Sequence, residues 1–243
     1  VGKAPPVLDL LVTEFDLSLP VAGWVLSTVS LTGALTGLLA GGVSDRIGHR
    51  RTILFAMLFV IAGCLLGANA HDVTTLLTSR FLEGVGFVGI VVSIPSILMR
   101  VSAPNDQRLV FGIWAAYMPF GMAAMMAATP ALLTLTDWRG IWLVNAVATG
   151  ALLGLFMYMT RSLPRRVKGQ KGLNILTAMF RVLARPGPWL LAACFMAYAG
   201  QWAAMMSWLP AFLGDVSGNN MATAAWLTAL VVFVNVPGNL LGS

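Results

Sequence analysis

The sequence predicts an all-α membrane protein, and three observations predict it. Hydrophobic residues make up 58% of the 243 and charged residues 10%, whereas a soluble domain is nearer half apolar and a quarter charged. Apolar runs of about 20 residues, the length of a helix that crosses a bilayer, recur along the whole chain. The basic residues gather in every second connection between these runs, which is how membrane helices are oriented.

Seven runs meet the length: 20–43, 52–70, 76–99, 109–131, 140–160, 188–213 and 222–242. Each is too long for a strand, and only Arg80 and Glu83 place formal charge inside them. The residues before the first run, VGKAPPVLDLLVTEFDLS, read as the end of a further helix and an exit loop made acidic by Asp9, Glu14 and Asp16. The chain is therefore expected to be a fragment of something longer. Of the fifteen lysines and arginines, twelve lie in the connections 44–51, 100–108 and 161–187. Those three connections are expected in the cytoplasm. The alternate connections hold only Lys3 and Arg139.

Net charge of +6 and a pI near 10.0 could suggest nucleic acid, but nucleic-acid binding needs a basic soluble face. Here the cations sit between apolar spans, so the expected partner is the lipid bilayer. Cys64 and Cys194 lie inside apolar runs and read as small core residues rather than a disulfide or metal pair. The sequence has no H-E-x-x-H, no G-x-S-x-G and no P-loop, so a metal site, serine hydrolysis and ATP-driven work have no support. No cofactor is expected.

Three parts follow: residues 1–160, a basic linker at 161–187, and 188–243. Within the linker, Leu173, Leu176, Phe180 and Leu183 have helical spacing. This fits a basic amphipathic helix on the inner leaflet, or a plain basic linker that only enforces topology. PPVLDLL…PVAGWVLS weakly resembles LPAFLGD…MATAAWLTA, as a parallel internal repeat would.

The connection GGVSDRIGHRR, Gly41 to Arg51, carries more than topology requires. Gly48 permits a tight turn. Asp45 stands at a helix C-terminus, where the helix dipole disfavours a carboxylate. It needs a partner, and Arg46, Arg50, Arg51 or the N-terminus of another helix could supply one. This stretch resembles the G-x-L-x-D-R-x-G-R-R signature of the major facilitator superfamily, with Val43 in place of Leu and His49 in place of a second basic residue. In that family the signature joins the second and third of twelve helices. Leu76 to Gly89 resembles the family's fourth-helix pattern at Arg80, Gly84 and Gly86, with Glu83 where glutamine is frequent. Asp137-Trp138-Arg139 is a softer match before the sixth helix.

The resemblance implies a helical bundle of this superfamily, with seven of twelve transmembrane helices present. Residues 1–160 would form the first six-helix half with its first helix truncated, and 188–243 would begin the second half, most of which is missing. It also implies a secondary transporter of a small solute, with a small organic or inorganic anion as the candidate substrate. Transport would use alternating access, with a coupling proton, in a plasma or inner membrane. Gly41, Asp45, Arg46, Gly48, Arg50 and Arg51 would form a latch between the halves; the alternative is a topological anchor. A proton-driven drug exporter is less well matched, because Ala116-Tyr-Met-Pro119-Phe-Gly121 departs from the exporters' fifth-helix pattern. Ser207-Trp208-Leu209-Pro210 resembles the seventh helix of cyanate-type members. A polytopic membrane enzyme or receptor is the rival from another class.

Arg80 and Glu83 are three apart and share a helix face. Either they face a cavity, where they serve an anionic substrate or a proton, or they pair locally near the outer interface. Tyr117, Tyr198, Gln201 and Asn235 are further pathway candidates; the alternative for each is interhelical packing. Gly33, Gly37 and Gly41 recur every fourth residue and predict a close helix contact. Pro95, Pro119, Pro210 and Pro237 are expected to kink or end their helices.

Overall fold

The computed structural model describes residues 2–161, 183–217, 221–234 and 236–237. A 3-10 turn, Pro5–Val7, leads into α1, Leu8–Phe15. Then follow α2, Leu19–Ile47; α3, His49–Ala68; α4, Val73–Val101; α5, Gln107–Ala115; α6, Tyr117–Leu133; and α7, Trp138–Met159. Beyond the linker come α8, Pro186–Ser217, and α9, Met221–Phe233. Among the described residues there is no strand. Six stretches are long and apolar enough to cross a membrane, counting Pro104–Leu133 as one, and α9 is a shorter apolar helix. The expected linker helix, with Leu173, Leu176 and Phe180, lies outside the described residues, as do Asn235 and Asn239.

The bilayer leaves backbone groups no partner but each other, so helices are the natural solution. Hydroxyls inside the spans are satisfied in the same way. Ser27, Thr28, Thr32 and Thr36 on α2 each donate to the carbonyl four residues back. Two helices start on aspartate caps: Asp72 Oδ1 accepts from Thr75 N at 2.8 Å, and Asp137 Oδ1 from Gly140 N at 3.0 Å.

α3 packs most extensively on α4 and also on α7, while α2 lies along α4. Glycines set these approaches. A Cβ at Gly86 would sit 2.4 Å from the Ala56 carbonyl oxygen, and one at Gly84 2.7 Å from Thr32 Cβ. The predicted stripe on α2 matters less than expected: Gly33 and Gly41 meet Val88 and Val92 at 3.3 and 3.7 Å, and Gly37 faces nothing within 4 Å. The closest contacts are made from α3 and α4, whose glycines are less regularly spaced.

Three further expectations change. The connection 44–51 is almost wholly helical: α2 runs through Ile47, α3 starts at His49, and Gly48 alone separates them with φ +93°. The run 109–131 is broken at Ala116 into α5 and α6. Pro119 cannot donate to the carbonyl of Ala115, and restarting the helix at Tyr117 puts the proline in a first turn, where no N–H is needed. Pro95 and Pro210, in contrast, lie within α4 and α8 without ending them. Lastly, Lys3 is not a loop charge; it is buried in the helix bundle.

A second packing group joins α6 to α8 and α9 through Met122, Ala123, Met126, Met206, Ala229 and Val232. Met118, at the same fourfold spacing as Met122 and Met126, and Trp202 pack against it. α1 is also tied to α7. Glu14 Oε1 meets Arg139 Nη2 at 2.6 Å, its Oε2 accepts from Trp138 Nε1 at 2.5 Å, and Arg139 also donates to the Ala70 carbonyl at 3.0 Å.

Gly86→Ala should lower the detergent-solubilised protein's unfolding free energy by about 1–3 kcal/mol through overpacking, while Gly37→Ala should be neutral or stabilising; thermal unfolding of both variants checks this. The Arg139 hydrogen bond holds the Glu14 carboxyl below its ordinary value of 4.5. Because the folded-state value is depressed, the stability this contact contributes is present above pH 4.5 and is lost as pH falls through the lower folded value. Glu14→Gln should be less stable at neutral pH and show a flatter decline on acidification. Melting temperatures from about pH 7 down to about pH 3 check it.

Candidate functional site: a buried charge cluster and a charged turn

The cluster is built on α4. Arg80 is 0% exposed and Glu83 5%, one turn apart on the same face. Arg80 Nη1 meets Glu83 Oε2 at 2.5 Å, and its Nε donates to the Val25 carbonyl on α2 at 3.2 Å. The other carboxylate oxygen, Oε1, takes Lys3 Nζ at 2.8 Å. Lys3, 3% exposed, also contacts Cys64 Sγ at 3.1 Å and lies 4.5 Å from the centre of the Trp142 ring. Helices α2, α3, α4 and α7 thus converge on one carboxylate.

Gly63 and Gly67 on α3 make the convergence possible. A Cβ at Gly63 would stand 2.8 Å from Glu83 Cγ, and one at Gly67 2.5 Å from the Trp142 ring. Charges taken out of water need close partners, since desolvation otherwise outweighs their attraction. Here two cations share one anion, which leaves the cluster one positive charge in excess. Two buried donors, Arg80 Nη2 and Trp142 Nε1, have no acceptor among the described residues.

Glu83 also lines a cavity of about 610 Å³ between α2, α3, α4 and α7. Its wall is apolar, with Ile53, Met57, Phe87 and Ile90 among its residues, and Thr160 lies at the opposite end from Glu83. The Thr160 hydroxyl accepts from Arg50 Nε at 2.8 Å and donates to the Phe156 carbonyl at 2.6 Å. An apolar wall of this kind suits a helix better than a polar solute.

Arg50 belongs to the charged turn. Gly48 N donates to the Ser44 carbonyl at 2.9 Å, and Thr52 N to the Gly48 carbonyl at 3.1 Å. With φ at +93°, position 48 disfavours any side chain. Asp45, Arg46 and Arg51 are exposed, while Ser44 is buried. Gly41 meets α4 at Val92.

The remaining candidates among the described residues are not brought together with the cluster. Tyr117 opens α6, half-exposed, its ring centre 5.6 Å from that of Trp114. Tyr198 is 61% exposed on α8 and Gln201 is exposed beside it; their neighbour Trp202 is the residue of that face that packs on the methionine seam. Lys3, Cys64 and Trp142 were not among the sequence-derived candidates. The Arg80–Glu83 pair is neutral by itself and calls for no further cation, so nothing in the sequence points to Lys3, and no pattern points to the other two.

A multi-pass helical membrane protein with a charged two-helix turn and a buried ionic centre is the class these features define. The chain belongs to the Major Facilitator Superfamily, whose family model matches residues 4–243. It is similar to a probable nitrate/nitrite antiporter, NarK1, of Thermus thermophilus, with 30% identity over 240 residues, covering 94% of this chain and 52% of that protein. It is also similar to the cyanate transport protein CynX of Escherichia coli, with 26% identity over 239 residues, covering 97% of this chain and 60% of that protein. The chain thus spans little more than half the length of these relatives. The fold is shared with the crystal structure of a bacterial homologue of the human lysosomal transporter Spinster, with a TM-score of 0.73, 21% identity, and coverage of 98% of this chain and 57% of that one.

Glu83→Gln removes the only counter-charge Lys3 and Arg80 have in the cluster. It should cost about 3–5 kcal/mol of stability. The double variant Lys3→Met, Glu83→Gln should recover part of that loss, and thermal unfolding of the pair reads the coupling.

Proposed function

We propose that this protein is a secondary transporter that moves a small anion across a plasma or inner membrane by alternating access, coupled to an ion gradient through a proton. The observation that carries the anion reading is the excess positive charge of the Lys3–Glu83–Arg80 cluster within the span region. A buried net charge of this sign raises the local potential for anions along the pathway. The names of two relatives, one for nitrate and nitrite and one for cyanate, agree with it.

In this reading residues 1–160 form one half, 161–187 the cytoplasmic linker and 188–243 the start of the other half. The apolar cavity between Glu83 and Thr160 suits a further helix of the first half. Connections 44–51, 100–108 and 161–187 face the cytoplasm. Asp45, with Arg46 and Arg51 exposed beside it, reaches the second half when the pathway opens outward; Arg50 is the arginine anchored at home, on Thr160. Tyr117, Tyr198, Gln201 and Asn235 line the path between the halves, and the methionine seam of α6, α8 and α9 lets them move.

Full-length protein in proteoliposomes should take up nitrate, nitrite or cyanate. Arg80→Ala should reduce that uptake at least about tenfold, the scale of one lost charge interaction, and Lys3→Met should reduce it less. Arg80→Ala protein that is monodisperse, stably folded and fully active on every transported anion would refute the assignment.

A further inference from the structure

Immediately before Asp45, Ser44 is held by two side chains from other parts of the structure. Its Oγ lies 2.7 Å from His49 Nδ1, across the turn, and 2.9 Å from Ser93 Oγ on α4. Ser44 is 1% and Ser93 0% exposed, so water does not compete for these bonds. The Ser44 carbonyl in turn accepts from Gly48 N. Side chain and main chain of the residue preceding Asp45 are both fixed.

This chain of groups can run in two directions. With a neutral imidazole protonated at Nε2, Nδ1 accepts the Ser44 proton and Ser44 accepts that of Ser93. If His49 takes up a proton at Nδ1, that N–H must donate to Ser44, and Ser44 turns its own proton towards Ser93. No heavy atom has to move for this reversal, but a positive charge arrives beside Asp45. The charged groups that act on His49 are Asp45 at the end of α2 and Arg100 at the end of α4; Arg46, Arg50 and Arg51 belong to the same turn. Histidine is the side chain that changes charge near physiological pH.

We propose that Ser44, His49 and Ser93 form a proton-responsive strut that positions Asp45. With His49 neutral, Asp45 is available to the second half; with His49 charged, the carboxylate is held by its own turn and the latch loosens. Cytoplasmic acidification thereby favours opening of the inner side. The inference rests on the latch reading given above.

The test uses the full-length transporter in nanodiscs. Hydrogen–deuterium exchange of residues 41–51, corrected for the intrinsic pH dependence, should be about fivefold faster at about pH 5 than at about pH 8 in the unmodified protein (an opening-scale effect). His49→Gln should be slow at both pH values and His49→Lys fast at both. The carbon-13 imidazole resonance of His49 is assigned as the signal that His49→Gln removes. Ser93→Ala should shift the His49 midpoint by about half a pH unit or more, and Ser44→Ala should do the same if it folds. A His49→Gln protein that keeps the full pH dependence overturns the proposal, as does a His49 midpoint unmoved by Ser93→Ala. Asp45→Asn should exchange fast at both pH values. If it instead behaves as the unmodified protein, the latch itself fails and the strut with it.

Discussion

One carboxylate holds the bundle's charged centre together. Among the described residues Glu83 is the anion that pairs with both Lys3 and Arg80, and at low dielectric neither cation could be left alone. Meeting that demand fixes much else. α3 must come close enough for Gly63 and Gly67 to admit Glu83 and Trp142, and α2 must present the Val25 carbonyl to the guanidinium. Trp142 closes the site with its ring over the ammonium. The tight α3–α4 contact is therefore a consequence of ionic satisfaction as much as of apolar packing, which by itself gives little drive for association in lipid.

The same logic separates the two charged regions. Inside the bundle, charge is paired and immobile. At the turn, Asp45, Arg46 and Arg51 stay hydrated, where ion pairs are weak and exchange readily. In the transport cycle proposed above, the first would supply a fixed field and the second contacts that are made and broken. The α6–α8–α9 seam is of a third kind. Its methionines, unbranched and adaptable, fill space without committing the helices to a single register.

Much of the architecture was legible before any coordinates. Hydropathy located the spans, and Gly41 to Arg51 carried the family resemblance. With Lys3 buried, Arg139 is the only lysine or arginine left in the connections expected outside. What escaped sequence reasoning was non-local. Lys3 lies at the edge of an apolar run, and its partner is far along the chain; periodicity within a helix cannot reveal a contact of that kind. The stripe Gly33, Gly37, Gly41 was overvalued for the same reason. Regular spacing shows that a face is smooth, while only the facing helix decides whether anything fills it. The break at Ala116 shows the opposite case, in which a local rule about Pro119 suffices.

The single residue between α2 and α3 has a mechanical consequence. A helix of 29 residues is about 44 Å long at 1.5 Å per residue. With only Gly48 as a joint, α2 and α3 meet as two stiff rods at an elbow, and slack cannot be taken up in a loop. A tilt of about 10° at the elbow would carry the far end of α2 by about 8 Å on that length. The charges around Gly48 stand at that joint, where a small displacement at one end of α2 becomes a large travel at the other.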